Sequence, residues 1–150
     1  MERTLCLLKP DAIQRSLVGK IIDRIESKGL KIVGLKMLWM DMDLAKMHYE
    51  AHVDKPFFSG MSGFMTASPI LALALEGDNA VEVLRNTMGA TDPQQASPGT
   101  LRADMANSIG RNLLHGSDSV ESAKRELGIF FSGNEIFDYS RDQEKWINES

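Results

Sequence analysis

A chain of 150 residues with one cysteine, Cys6, cannot close an intrachain disulfide, and that cysteine falls in an apolar run where a small buried thiol is ordinary. The scarcity of cysteine suits a reducing compartment. Apolar runs are short. The longest, Pro69 to Leu75, falls far below the roughly 20 residues that cross a bilayer. The opening MERTLCLLKPD lacks the cationic flank, long apolar stretch and small-residue cleavage site of a secretory signal, so a cytoplasmic location without a membrane partner is expected. There is no excess of positive charge either. Seventeen basic side chains face 21 acidic ones, for a net charge of -4, which argues against broad binding to nucleic acid or to an anionic membrane. Any anionic ligand must be held by a local cluster of cations.

The usual phosphate-binding loops are missing as well. No GxGxxG occurs, and the nearest approach to a Walker loop, GLKIVGLK (29 to 36), lacks the Gly-Lys-Ser/Thr ending and lies in a predicted strand. HYEAH (48 to 52) spaces two histidines at i and i+4 but lacks the glutamate next to the first one that a zinc-protease helix requires. His48 falls on an apolar stripe, so a packed, hydrogen-bonded histidine is expected there. No cluster of cysteines or carboxylates offers a metal cage, and no metal ligand is expected from protein side chains.

What is present is an ordinary globular composition, 43% hydrophobic and 25% charged, in a chain long enough to bury about two-thirds of its unfolded surface. One domain over residues 1–150 is expected, with about 140–150 as a polar tail carrying Trp146 and Ile147. Periodicity supplies the elements. TLCLLKP (4 to 10) reads as a buried strand that leaves Lys9 at its tip. Leu17, Val18, Ile21, Ile22 and Ile25 form a helical stripe that ends at Lys28-Gly29. LKIVGLKMLWM (30 to 40) reads as a strand; Leu44, Met47, His48 and Ala51 as a helix face; PILALAL as another buried strand. A further helix has Asn79 and Glu82 as a capping box, Val81, Leu84 and Met88 inward, and Gly89 as its stop. ATDPQQASPGTLRAD (90 to 104) is a long irregular stretch of the kind that carries function. NLLHG then reads as a last strand, and Asp118 with Glu121 as the cap of a helix with Val120, Ala123, Leu127 and Phe130 inward. The alternation of strands and helices predicts an α/β sandwich and by itself leans toward a parallel sheet.

Candidate chemistry gathers at element ends. Lys9, Arg85 and Arg102, with Thr91 in the long loop, are possible phosphate ligands, although spacing alone does not bring them together. His115 precedes GSDS, whose small residues and capping oxygens open a helix, and such an N-terminus suits negative charge. An imidazole there, much of it neutral near pH 7, can attack an electrophilic phosphorus.

NxxHGSDSVESAxxE, from Asn112 to Glu126, closely resembles the active-site signature of nucleoside diphosphate kinases. ERTLCLLKPD, HYEAHVDKPFF, GATDP, PGTLRAD and GRN follow the family's order and spacing, so the resemblance spans residues 2 to 139. It implies a ferredoxin-like sandwich of class α+β, with a four-stranded antiparallel sheet covered by helices. It also implies transfer of a γ-phosphoryl group from a nucleoside triphosphate such as ATP or GTP to a nucleoside diphosphate, by ping-pong through a phosphohistidine. Carried over residue by residue, His115 is the nucleophile, phosphorylated on Nδ1, with Gly116 orienting the ring and Glu126, Ser117 and Ser119 supporting it. Lys9, Tyr49, Arg85, Thr91 and Arg102 surround the phosphates; Asn112 and Lys9 reach the sugar hydroxyls; Phe57 stacks on the base. Mg²⁺ would arrive with the nucleotide. Family members are hexamers or tetramers, and the tail with the long proline-bearing loop favours the hexamer. Ala103 stands where many members have glycine. The rival expectations are a non-catalytic ferredoxin-like nucleotide-binding module and a phosphohistidine carrier, the latter without need of Phe57 or Arg85.

Overall fold

The computed structural model describes residues 1–149, so Ser150, the last residue of the expected tail, lies outside the described residues. Four strands form one sheet: β1 (Glu2–Leu8), β2 (Lys31–Leu38), β3 (Ile70–Gly77) and β4 (Leu114–Gly116). Their order is β2-β3-β1-β4, and every neighbouring pair is antiparallel. This is the ferredoxin-like arrangement implied by the resemblance, and it corrects the parallel sheet suggested by the alternation of elements. The reason is interleaving. β1 and β2 run the same way, as do β3 and β4, so the helical crossovers β1 to β2 and β3 to β4 join parallel strands as periodicity suggests, whereas the helices between β2 and β3 connect antiparallel neighbours. However, β3 inserts between β1 and β2, and β1 between β3 and β4, so every hydrogen-bonded neighbour is antiparallel.

Among the described residues seven α-helices accompany the sheet: α1 (Pro10–Gln14), α2 (Val18–Ser27), α3 (Met42–His48), α4 (Phe58–Met65), α5 (Ala80–Met88), α6 (Leu101–Met105) and α7 (Val120–Phe130). They lie on both faces, which is why β1 and β3 read as continuous apolar runs. On one face Cys6 and Leu8 pack with Ile21, Ile25, Leu84 and Met88. On the other, Leu5 and Leu7 pack with Ala45, Met65, Leu127 and Phe130. Successive side chains of β1 therefore feed two different cores.

Several local readings change. α4 and α6 were not visible in the pattern; α6 lies inside the stretch expected to be irregular, started by the Thr100 hydroxyl, which accepts from Ala103 N at 3.3 Å. Ala103 is helical there, so the glycine of other members is not required. Ala51 lies beyond α3 and Met47 is exposed; the buried positions of that helix are Ala45 and His48. Asn79 does not cap α5. It sits at φ 52 with no capping bond, while Glu2 Oε1 accepts from Val81 N at 2.9 Å. α7 is capped by Ser119 rather than Asp118, and Val120 is exposed. The tail turns back on its own chain: Arg141 Nη2 donates to Gly29 O at 3.0 Å, and Ile147 packs on Gly29. Trp146 remains exposed.

Candidate active site

β4 is only three residues long, yet it carries His115 in the middle of the sheet edge, paired with Leu7 of β1. Its approach is strained. Leu113 has φ 76, a conformation rare for a branched residue, and it is held by two long-range bonds. Its N–H donates to the buried carboxylate of Asp11 at 3.1 Å, and its carbonyl accepts from Lys9 N at 2.8 Å. After His115 comes Gly116, where a Cβ would sit 2.6 Å from Met88 Sδ and 3.1 Å from Leu84 Cδ2. Only glycine lets α5 press this closely on β4. The consequence is that Arg85, on the same helix, reaches Gly116 O at 3.2 Å.

Arg102 supports the same strand from α6. Its guanidinium is buried and donates to Asn112 O at 3.1 Å, Leu114 O at 2.6 Å and Gly89 O at 3.0 Å. The two arginines thus hold the carbonyls of Asn112, Leu114 and Gly116, alternate residues that bracket His115. Asn112 is itself fixed at both ends. Its Oδ1 accepts from Lys9 Nζ at 2.8 Å and its Nδ2 donates to Thr91 O at 2.9 Å, which ties the long loop to the end of β1. Burial, then the nearby Arg102, lowers the Lys9 pKa to about 8, against the opposing pull of Asp11. Burial and Arg85 lower that of Arg102 to about 10. Crowded, partly desolvated cations of this kind are short of an anion.

His115 Nε2 lies 2.9 Å from Glu126 Oε1, and the same oxygen accepts the Ser117 hydroxyl at 2.7 Å. Burial opposes the charge on Glu126, but the bonds from His115 and Ser117 outweigh it and keep the carboxyl ionised below its usual range. A carboxylate can only accept, so Nε2 carries the proton and the Nδ1 lone pair is free.

These side chains line one cleft of about 420 Å³. Lys9, Tyr49, Phe57, Arg85, Thr91, Arg102, Asn112, His115 and Glu126 all border it, so every candidate site residue converges there. Phe57 stands half exposed at the mouth, with the His52 ring 5.4 Å away. Tyr49 is deeper, and burial followed by the charge of Glu126 pushes its phenol pKa up. Met61, Ser122 and Arg125 also line the cleft and carry no signal in the sequence, while His52 and Asp118, which line it too, stand out there only as half of a histidine pair and as a helix cap. His48 lines it too. It is packed as expected, but neither ring nitrogen has a hydrogen-bond partner.

The family model described as nucleoside diphosphate kinase matches residues 2–136. The chain is 50% identical over 150 residues to a curated nucleoside diphosphate kinase of Staphylococcus carnosus, covering 100% of both chains. It is 49% identical over 149 residues to one from Archaeoglobus fulgidus, covering 99% of each. Among solved structures it resembles a halophilic nucleoside diphosphate kinase from Halobacterium salinarum in complex with CDP, with a TM-score of 0.96, 47% identity and 99% of both chains covered.

Proposed function

Since the chain belongs to the nucleoside diphosphate kinase family and transfers phosphoryl groups from nucleoside triphosphates to nucleoside diphosphates, we propose that it does so by double displacement through His115. The observation that carries this reading is the imidazole at the base of a cation-lined cleft, with Nε2 committed to Glu126 and Nδ1 free. In the first half-reaction the Nδ1 lone pair attacks the γ-phosphorus. The P–N bond forms as the bond to the β–γ bridging oxygen breaks, and the leaving diphosphate takes the electron pair. In the second, a β-phosphate oxygen of an incoming diphosphate attacks the same phosphorus and the imidazole leaves. Glu126 stabilises the charge that develops on the ring in both directions.

Lys9, Arg85 and Arg102 neutralise the phosphates, and little covalent help is needed beyond in-line placement and charge. Tyr49 and Thr91 border the phosphates, Asn112 and Lys9 the sugar hydroxyls, and Phe57 offers a face for the base. Every base has such a face, so stacking suits all nucleotides. The single His/Glu cluster with metal-ligand spacing among the described residues is His48, His115 and Glu126. It is a poor oxygen cage for Mg²⁺. The cleft suits Mg²⁺ carried on the nucleotide phosphates, where the ion supplies charge neutralisation as part of the substrate.

The same reading takes residues 1–150 as one catalytic domain with residues from about 140 as a tail, working as a cytoplasmic homo-oligomer, the hexamer favoured over the tetramer. Among the described residues, no helix is long and apolar enough to cross a membrane. The test is to mix the purified protein with γ-labelled ATP. A label stable in alkali, labile in acid, absent from His115→Ala and discharged by nucleoside diphosphates is the expected result. A label that no nucleoside diphosphate discharges would point instead to a phosphohistidine carrier.

A further inference from the structure

Beside His115 the cleft wall holds a second imidazole with nothing bonded to it. His48, at the end of α3, is 4% exposed, and both Nδ1 and Nε2 lack a hydrogen-bond partner. Its ring stands edge-on to His115 at 4.9 Å, with Tyr49 at 4.5 Å and Phe130 at 5.2 Å. An unpartnered buried imidazole is costly, and packing alone would be served as well by phenylalanine. What the imidazole adds is a donor atom. One ligand atom each from His48, His115 and Glu126 lie within 4.8 Å of one another.

Two imidazoles and a carboxylate are a ligand set suited to Zn²⁺ and similar borderline divalent ions. Ligands about 2.1 Å from a tetrahedral ion stand roughly 3.4 Å apart, so small side-chain rotations close the set. We propose that His48, His115 and Glu126 form a binding site for a Zn²⁺-class ion, with its fourth position open to the cleft, and that occupancy of this site blocks phosphoryl transfer. Two routes lead to the same block. An ion on Nε2 replaces the proton now shared with Glu126 Oε1; the neutral ring keeps its one proton by moving it to Nδ1, which consumes the lone pair. An ion on Nδ1 consumes that lone pair directly. Lys9 and Arg125 add positive charge nearby, Arg125 Nη2 lying 4.0 Å from Glu126 Oε2, so the ion binds reversibly rather than as a permanent structural zinc. The inhibitory half rests on His115 as the nucleophile; the ion site itself does not.

The test titrates the intact protein, free of nucleotide, with Co²⁺ as a visible probe, followed by displacement with Zn²⁺. The expected result is one equivalent with the intense d–d bands of a four-coordinate ion. His48→Phe fills the same space without a donor and should weaken Zn²⁺ at least tenfold, as should Glu126→Gln. If His48→Phe fails to fold by circular dichroism, the near-isosteric Glu126→Gln carries the comparison. Only weak six-coordinate bands, or an affinity unchanged by the substitutions, would overturn the site. Binding with the expected dependence, but with undiminished phosphohistidine formation, would retain the ion site and overturn its inhibitory half.

Discussion

Lys9 Nζ donates to Asn112 Oδ1 at 2.8 Å, so the amine at the end of β1 is tied to the residue three places before His115. With its pKa lowered to about 8 by burial and Arg102, Lys9 begins to lose its charge just above neutrality. Phosphate binding needs that charge, so kcat/KM should fall as the pH rises through about 8, while Lys9→Arg should keep its activity across the same interval. The linkage has a definite sign. The folded pKa lies below the ordinary 10.5, so folding carries a penalty for burying the charged Lys9, and that penalty is fully present below about pH 8 and gone above about 10.5. Lys9→Met should lose about 10²-fold in phosphoryl transfer. Its stability relative to the parent should decline steadily between those pH values, as read by thermal unfolding. A flat difference would remove Lys9 as the titrating group.

The bond between His115 Nε2 and Glu126 Oε1 makes a second expectation. Glu126→Gln keeps the shape but exchanges a charged acceptor for a neutral one, about half as strong, so phosphohistidine formation should slow by roughly tenfold. Nitrogen NMR of the parent should show the proton on Nε2. A parent ring protonated on Nδ1 would contradict the assignment of the nucleophilic atom.

At Gly116 the limit is space rather than charge. An alanine Cβ would meet Met88 Sδ at 2.6 Å, and overpacking of this kind costs about 1–3 kcal/mol. Gly116→Ala should lower the thermal midpoint and also reduce activity, since Arg85 rides on the displaced helix. Met88→Ala in the same chain should recover part of both. If the double variant is no better than Gly116→Ala, the contact with Met88 is not the cause.

How much of this was readable beforehand depends on distance along the chain. Glu126 follows His115 by 11 residues, and a strand, a capped turn and a helix bring them together, so that pair lies within one motif. Lys9 just after β1, Arg85 on α5 and Arg102 on α6 converge only because β1 inserts between β3 and β4, which no periodicity reveals. Their grouping came from resemblance alone. The caps failed for a simpler reason: Asp118 and Ser119 are both good N-caps, and sequence does not choose between neighbours. The pattern around His48 predicts a packed, hydrogen-bonded ring, and only the packing is there, since hydrogen-bond partners depend on which groups the other elements deliver.

Base selectivity follows from the cleft mouth. Phe57 is exposed beside His52. If the base is held by stacking, purine and pyrimidine diphosphates should be phosphorylated at rates differing modestly, and Phe57→Ala should weaken all of them by about 1–3 kcal/mol. Competition assays with a preference of many orders of magnitude would require polar readout and would refute stacking.

The sheet has one edge that looks unfinished. β2 is an outer strand, covered at Ile32 and Val33 by the segment after α7, where Phe137 N donates to Val33 O at 2.9 Å and the Tyr139 hydroxyl donates to Ile32 O; beyond that cover Leu35, Met37 and Trp39 stand exposed, with Phe137 exposed nearby. An uncovered, apolar stretch of edge strand is a template for pairing, and isolated chains normally guard such edges with charge. Lys36 provides little protection, because its ammonium is already paired with Glu135 at 3.0 Å. A second copy laid against this stretch would bury these side chains and pair the part of the strand that the chain's own C-terminal segment leaves uncovered. The protein should therefore scatter light as a multiple of the chain mass at micromolar concentration. Met37→Lys places a charge where the two copies would meet and should reduce the assembly state or lower the thermal midpoint, with His115 and its cations untouched. A monomeric parent would sink the assembly claim, and a tetramer would refute only the preference for a hexamer.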